Sequence, residues 1–333
     1  MNPKEAQDFC PIPFLQLQLN PLGNVSACCY SNEYSVGNIK DSTIESIWNG
    51  EKMRSWRREF IDGKPRICAN ALRSFRCHEN YRHLIPEARL TETQDSMPKR
   101  LDLRLNGQCN LECVMCDVWR QPNALYEDSD FWKIGPEKIF PFLLEVDMLG
   151  GEPFIQKDTY RLIDAVSAVN PKCTWGFITN AQYIFNERLR ATLDKIQIRH
   201  LHVSLDGIRA ETYASIRKKG DLGKSLRTLD AFLDYRSERR RRDGREFVIF
   251  ASICVQRANW QELPEFLDYC KERRIQPIVQ NVIGRPHLEL TTLPTEEKRS
   301  VESFLKNHLA RHSSSIGTVL DHLRSSEQSL ASQ

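Results

Sequence analysis

The residues best suited to chemistry in this 333-residue chain are its cysteines. Eleven are present, and eight of them lie within the first 116 positions. The chain start, MNPKEAQDFC, has no basic region followed by an apolar run, so we expect neither a secretory signal nor a secreted disulfide scaffold. Clustered thiols in a cytoplasmic chain more often ligate metal. The other three, Cys173, Cys254 and Cys270, lie in apolar or periodic stretches, as small buried side chains do.

Three of the early cysteines, Cys109, Cys113 and Cys116, have CxxxCxxC spacing directly after a β-rich run. Three soft thiolates on one short loop can bind three corners of a four-iron four-sulfur cube, which leaves the fourth iron open to an exogenous ligand. A tetrahedral zinc site is the alternative, but zinc takes a fourth protein ligand and usually favours CxxC pairs. The spacing therefore favours an iron–sulfur cluster.

Around this loop, short β-rich runs alternate with helical segments from residue 99 onward. The strand-like runs are Arg100–Leu105, Glu145–Leu149, Cys173–Thr179, Ile198–Leu205, Phe247–Gln256 and Pro277–Val282. This alternation predicts an α/β fold with a parallel sheet and helices on its outer face. Six units are too few for a closed eightfold barrel, so we predict a partial (β/α)6 barrel of the TIM type. Active sites of such barrels lie at the carboxyl ends of the strands, where the cysteine loop falls.

Further motifs end the next three strand-like runs in chain order. GGEP at 150–153 ends the second run, and its two glycines would let backbone carbonyls approach a ligand. FITNA at 177–181 ends the third run, and SLDG at 204–207 ends the fourth. Together with the cysteine loop, these motifs resemble the radical S-adenosylmethionine (SAM) superfamily over nearly all of residues 99–290.

The resemblance implies that the open iron binds the amino and carboxylate groups of SAM, and that one electron cleaves SAM to methionine and a 5′-deoxyadenosyl radical. It implies that GGEP binds the methionine amino group, Ser204 the ribose or carboxylate, and Arg217 the carboxylate, which suits a guanidinium fork. A solvated helix face is the alternative for Arg217. The implied SAM-binding residues are Met115, Gly150, Gly151, Glu152, Pro153, Thr179, Asn180, Ser204 and Arg217.

Two positions depart from the family pattern. Met115 stands where the family usually has an aromatic residue beside the adenine, and a thioether can also pack on a purine face. Ala181 stands where the family has the glycine of TNG.

The earlier cysteines form a second set. With the glycines between them they resemble the SPASM/twitch extension of radical SAM enzymes, here preceding the barrel over about residues 9–80. The resemblance implies one auxiliary four-iron four-sulfur cluster with four ligands: Cys10, Cys28, Cys68 and Cys77. The last two depart from the usual CxxC because eight residues separate them, and Cys29 could replace Cys28. Structural zinc is the alternative for this set.

The strand-like run 247–256 presents a further candidate. Its alternate side chains at 248, 250, 252, 254 and 256 share one face, which becomes polar toward the carboxyl end. Ser252, Cys254 and Gln256 would then face the barrel lumen. We therefore weigh Cys254 as a catalytic hydrogen-atom donor against a buried bystander.

Composition excludes other classes and sets the expected organisation. A net charge of +3 and a pI of about 8.2 are too mild to favour nucleic-acid binding. The longest apolar runs, such as 139–144, are far shorter than the roughly 20 residues of a membrane span. We predict a cytoplasmic protein with a SPASM/twitch-like α+β domain at 1–92 and a radical SAM barrel at 97–310. The tail at 311–333 should fray, apart from a weak helix around Val319–Leu323.

The predicted function is hydrogen abstraction from a small-molecule substrate, by dehydrogenation or epimerisation of a sugar, nucleoside or amino-acid derivative. The auxiliary cluster would serve electron transfer, and a protein such as flavodoxin or ferredoxin would donate electrons. Peptide maturation is the runner-up, although peptide-modifying relatives often carry a leader-binding domain that we do not find here. A non-enzymatic electron carrier or zinc scaffold is the third hypothesis, but neither requires GGEP and SLDG at strand ends.

Overall fold

The computed structural model of the protein describes residues 3–6, 8–28, 34–69 and 77–331, with side chains described as far as residue 324. The chain forms two compact units that interleave along the sequence. The first contains residues 1–108, 120–176 and 191–197, and the second contains 109–119, 177–190 and 198–333.

The strands of the described residues are numbered in chain order. They are β1 (Gln16–Leu19), β2 (Asn24–Ser26), β3 (Gly37–Asn38), β4 (Arg100–Leu103), β5 (Glu112–Cys113), β6 (Glu145–Met148), β7 (Thr174–Thr179), β8 (Gln197–Ser204), β9 (Arg217–Lys218), β10 (Val248–Val255) and β11 (Gln276–Asn281).

The α-helices of the same residues are numbered likewise. They are α1 (Ile12–Leu15), α2 (Ile44–Trp48), α3 (Glu51–Ile61), α4 (Asp130–Ile134), α5 (Lys157–Val169), α6 (Glu187–Asp194), α7 (Ala210–Ile216), α8 (Leu222–Asp243), α9 (Leu263–Glu272), α10 (Thr295–His308) and α11 (Ser313–Ala331). A long 3-10 helix spans Cys77–Glu87. No helix in these residues is long and apolar enough to span a bilayer.

Local sequence explains where these elements begin and end. Helix α8 begins after Asp221, whose carboxylate accepts a hydrogen bond from the N–H of Lys224 at 3.0 Å. It ends at Gly244, which has a φ of 71° and so serves as a left-handed cap. Along β10, buried side chains alternate with half-buried ones, as the period of a strand with one covered face requires.

The sheet of the first unit has the order β6-β4-β1-β2-β3. Its β1–β4 and β4–β6 pairs are parallel, and the register places Arg100 between Gln16 and Glu145. Arg100 is buried, and its Nε lies 3.0 Å from Glu145 while its other nitrogens contact Asp147 and Gln16. The Arg100 guanidinium of β4 thus contacts both neighbouring strands, since its carboxylate partners lie on β6 and Gln16 lies on β1.

The second unit contains the parallel strands β8, β10 and β11, with β10 in the middle. A separate two-residue ladder pairs β5 with β9, and places Cys113 opposite Arg217. The strand-like runs predicted after residue 98 are confirmed as β4, β6, β7, β8, β10 and β11. The predicted α/β fold class is confirmed with them, since the pairs between these strands in either unit are parallel.

The C-terminal segment corrects one expectation. The tail at 311–333, expected to fray apart from a weak helix around 319–323, contains the longer helix α11, whose buried residues are Ile316, Val319, Leu320 and Leu323. Their i, i+3, i+4, i+7 spacing gives the helix one apolar face, which stabilises it despite the flanking serines. The domain boundaries 1–92, 97–310 and 311–333 stay a prediction.

A stability measurement tests whether α11 belongs to the folded core. Leu320→Ala removes a buried side chain and should lower the free energy of unfolding by about 2 to 4 kcal/mol. The matched variant Gly317→Ala places a methyl group in open space on the same helix, and should raise it by about 0.5 to 1 kcal/mol. Urea denaturation of both variants that leaves stability unchanged would indicate a frayed tail.

Candidate metal centre and its surroundings

The three-cysteine loop lies within the second unit, and all three thiols are half-buried. Backbone N–H groups point at two of the sulfurs: Leu111 N donates to Cys109 Sγ and Val118 N to Cys116 Sγ, each at 3.4 Å. Such N–H donors stabilise negative charge on sulfur, as cluster-bound thiolates require. The loop is therefore shaped for thiolates.

Arg217 reaches this loop through the β5–β9 ladder. Its Nη1 lies 3.9 Å from Cys113 Sγ, and its Nη2 lies 2.7 Å from Asp206 Oδ2. Arg217 and Asp206 are both buried, so the ion pair is shielded from water. The Nε of Arg217 is buried and has no hydrogen-bond partner among the described residues. Arg217 is thus not on a solvated helix face, and one of its donors is available for a ligand.

The FITNA segment packs against the first cysteine. Asn180 Nδ2 lies 3.6 Å from Cys109 Sγ and donates to Asn110 Oδ1 at 2.9 Å. Thr179 Oγ1 accepts from Ala181 N at 3.1 Å, and Ala181 adopts a φ of 56°. Alanine therefore takes the left-handed conformation for which glycine is better suited.

Gln182, which sequence reasoning missed, holds this segment in place. Its Nε2 donates to Ser225 Oγ and to the carbonyl oxygen of Asp221, each at 2.6 Å, and its N–H donates to Asn180 Oδ1 at 2.8 Å. Because its side-chain partners Asp221 and Ser225 lie about forty residues away in sequence, no local signal marks this glutamine. Its contacts fix the backbone beside the cysteine loop.

Cys254 and Ser204 belong to the same unit. Ser204 is half-buried at the end of β8, opposite Ser252 of β10. Cys254 is half-buried, as the two-faced pattern of β10 predicts, and its N–H donates to Asp206 Oδ1 at 2.7 Å. Burial raises the pKa of its thiol to about 12, and Asp206 adds to the rise while Arg217 opposes it. The thiol is therefore protonated at neutral pH.

The GGEP turn lies in the first unit. Gly150 and Gly151 have φ values of 74° and 53°, and a Cβ at Gly151 would collide with the carbonyl oxygen of Gln108. That oxygen accepts hydrogen bonds from Glu152 N at 2.8 Å and from Gln156 Nε2 at 2.9 Å. Glycine is thus required for the close approach of two backbones, and the turn fixes Gln108, the residue before Cys109.

Sequence reasoning identified Glu152 and Met115 as candidate site residues but did not identify Gln156. Glu152 is fully buried, and its Oε1 accepts from Phe154 N at 3.1 Å, which caps the short helix Pro153–Ile155. The structure shows that the Oε1 of Gln156 is buried and lacks a partner among the described residues. Met115 is half-buried on the cysteine loop of the second unit.

The second cysteine set lies in the first unit, where Cys10, Cys28, Cys68 and Cys77 are all buried. Burial raises the pKa of the Cys10 thiol well above its usual range, and the neighbouring Cys68 and Cys77 add to the rise. Trp56 Nε1 donates to Cys68 Sγ at 3.2 Å. Cys68 and Cys77 are thus near enough to Cys10 to affect its thiol. The alternative ligand, Cys29, lies outside the described residues.

Both cysteine sets fit iron–sulfur clusters by their donor chemistry. Each offers soft sulfur ligands with N–H donors aimed at the sulfurs, which is the environment that such clusters use. Among the described residues, no group of three or more His, Cys, Asp and Glu side chains is arranged to hold a single metal ion.

The protein combines an α/β fold with parallel strands, a three-cysteine loop and a second buried cysteine set. These features are typical of enzymes that bind iron–sulfur clusters. Comparison with family models identifies the family to which these features belong. Residues 104–270, half of the chain, match the radical SAM superfamily, and residues 10–77 match the SPASM iron–sulfur cluster-binding domain. The chain belongs to the radical SAM superfamily and carries its SPASM domain before the barrel. A SAM-binding four-iron four-sulfur cluster, SAM and an auxiliary iron–sulfur cluster are the cofactors of this family architecture.

Several curated relatives are GTP 3′,8-cyclases. The protein from Synechocystis sp. is 25% identical over 248 residues, which cover 69% of this chain and 72% of the relative. The one from Clostridium botulinum (strain Hall) is 23% identical over 177 residues, about half of each chain. Among solved structures, Streptococcus suis SuiB aligns over 90% of this chain and 68% of its own, with 17% identity and a TM-score of 0.45.

Metal analysis tests the assignment of the three-cysteine loop. The variant with Cys109, Cys113 and Cys116 replaced by alanine should bind about four irons per chain, against about eight in the unaltered protein. Inductively coupled plasma mass spectrometry of anaerobically reconstituted protein measures this ratio. Cys173→Ala, which removes a buried cysteine outside both sets, is the control and should keep all the iron. Full iron in the triple variant would exclude the loop as a cluster site.

Proposed function

We propose that this enzyme cleaves SAM reductively and abstracts hydrogen from a small-molecule substrate. The observation that carries the proposal is the buried Nε of Arg217, which has no hydrogen-bond partner among the described residues, on a side chain whose Nη1 lies 3.9 Å from Cys113 Sγ. A buried guanidinium with one unsatisfied donor is completed by an acceptor such as a carboxylate, and SAM has one. When bound to the reduced cluster, SAM supplies the 5′-deoxyadenosyl radical.

The chain's own residues hold SAM in this proposal. Arg217 binds the SAM carboxylate, with its orientation set by Asp206. Ser204 binds the ribose or carboxylate, and the GGEP backbone accepts the methionine amino group. Met115 packs on the adenine, while Thr179 and Asn180 border the site. Cys109, Cys113 and Cys116 bind the SAM cluster, and Cys10, Cys28, Cys68 and Cys77 bind the auxiliary cluster.

The proposed substrate is a sugar, nucleoside or amino-acid derivative, which is dehydrogenated or epimerised. The relatives named GTP 3′,8-cyclase support the nucleoside among these, since GTP is a nucleoside triphosphate. A reduced protein of the flavodoxin or ferredoxin type is the proposed electron donor, and the cytoplasm the proposed location.

Cys254 decides between the two outcomes of hydrogen abstraction. Its protonated thiol, anchored by Asp206, can give a hydrogen atom to the substrate radical, which forms a C–H bond and leaves a thiyl radical. One electron from the external donor and one proton from solvent then restore the thiol. Without this step, the substrate radical would give its electron to the auxiliary cluster and a proton to solvent, and the product would be oxidised by two electrons.

Turnover in deuterated water tests the function and the role of Cys254 together. Reduced, reconstituted protein with SAM should form 5′-deoxyadenosine, and its production should increase with the substrate, for which GTP is the first candidate. If Cys254 donates, the epimerised product carries one deuterium at the reacting carbon by mass spectrometry. Cys254→Ser should abolish this label while 5′-deoxyadenosine is still formed.

The matched control is Cys270→Ser, because Cys270 is also a buried thiol whose pKa burial raises to about 12, but it lies on helix α9. This variant should keep the deuterium label. Absence of 5′-deoxyadenosine from a protein with full cluster content would contradict the proposed function. An unlabelled product from all three proteins would assign Cys254 to packing.

A further inference from the structure

The ion pair beside the cysteine loop has a second partner, the sulfur of Cys113. The carboxylate of Asp206 lies 2.7 Å from Arg217 Nη2, and the side chains of Arg217 and Asp206 are 8% and 2% exposed. The other terminal nitrogen, Nη1, lies 3.9 Å from Cys113 Sγ. One sulfur of the three-cysteine loop therefore has a buried cation as a neighbour, and that cation has its own buried counter-ion.

Separate backbone contacts hold both charges in place. The β5–β9 ladder places Arg217 opposite Cys113. Asp206 Oδ1 accepts the N–H of Cys254 at 2.7 Å, and its carbonyl oxygen accepts from Asn259 Nδ2 at 3.0 Å. Because neither partner depends on the other alone for its position, the pair is a fixed part of the surroundings of Cys113.

The two charges act on Cys113 with opposite sign. Arg217 places a positive charge 3.9 Å from Cys113 Sγ, and Asp206 places a negative charge 2.7 Å from that guanidinium. The cation thus stabilises negative charge at this sulfur, and the carboxylate opposes it. Both side chains are removed from water, so their influence is screened much less than that of surface charges.

We propose that the Asp206–Arg217 pair sets the reduction potential of the cluster bound by Cys109, Cys113 and Cys116. The inference rests on the proposed function only in that it requires this cluster. Reduction by one electron from an external reductant adds one negative charge to the cluster, and nearby charges are among the features that tune its potential. Arg217 stabilises the reduced state, and Asp206 limits that stabilisation.

An anaerobic redox titration of the reconstituted full-length protein, with dithionite as reductant, tests the inference. Electron paramagnetic resonance follows the cluster whose signal changes when SAM is added to a separate sample. Arg217→Gln should shift the midpoint potential to a lower value, and Asp206→Asn should shift it to a higher one. The double variant should lie between the two single variants, close to the unaltered protein.

Two further variants separate charge from structural damage. Glu262→Gln removes a buried carboxylate that accepts the N–H groups of Ile208 and Arg209 at 2.7 and 3.1 Å, in the loop next to Asp206. The cluster in Glu262→Gln should show a smaller shift of its midpoint potential than the cluster in Asp206→Asn. Arg217→Lys keeps the positive charge and should shift the potential less than Arg217→Gln, which provides a test if the glutamine variant loses its cluster.

Opposite shifts are a result that damaged packing would not produce. Shifts of the same sign in Arg217→Gln and Asp206→Asn would overturn the inference, and so would unchanged potentials at full iron content. The titration includes no turnover of SAM. Opposite shifts in a protein that forms no 5′-deoxyadenosine would therefore count against the proposed function and leave this inference intact.

Discussion

Three thiolates from one stretch of eight residues can hold a four-iron cluster only if the loop that carries them is itself held rigidly. Much of the second unit meets this constraint. The β5–β9 ladder fixes Cys113 against Arg217, Val114 N donates to the carbonyl oxygen of Ile216 at 3.0 Å, and Asn180 lies against Cys109. The segments that follow β7 and β8 hold the loop in place, because its own two-residue strand is too short to do so.

In the first unit, the backbone is held at Gln108, the residue that directly precedes the loop in sequence. The GGEP turn brings two glycines with positive φ against the carbonyl oxygen of Gln108, which directly precedes Cys109. In the same unit, β1 pairs with β4 in parallel, and the buried Arg100 of β4 contacts Gln16 of β1. The cysteine-rich N-terminal segment therefore shares a hydrogen-bonded strand pair with the first barrel strand.

The features readable from sequence are those contained in one short segment. The spacing of Cys109, Cys113 and Cys116, the GGEP glycines and the six barrel strands all have local patterns, and the strands and the family are confirmed. The Asp206–Arg217 pair could not be predicted, because it forms only when separate elements fold together. Gln182 has partners about forty residues away for the same reason. The local pattern of helix α11 indicated only a weak helix around 319–323, because the serines on either side masked the rest of its apolar face.

The central claim is that the three-cysteine loop leaves one iron open and that SAM binds it. Electron–nuclear double resonance of the reduced protein, with SAM labelled by ¹⁵N at the amino group and ¹⁷O at the carboxylate, measures this directly. The account predicts hyperfine coupling from both labels, and loss of the carboxylate coupling or a change in it in Arg217→Gln. Absence of coupling from either label, in a protein with a full complement of iron, would contradict it.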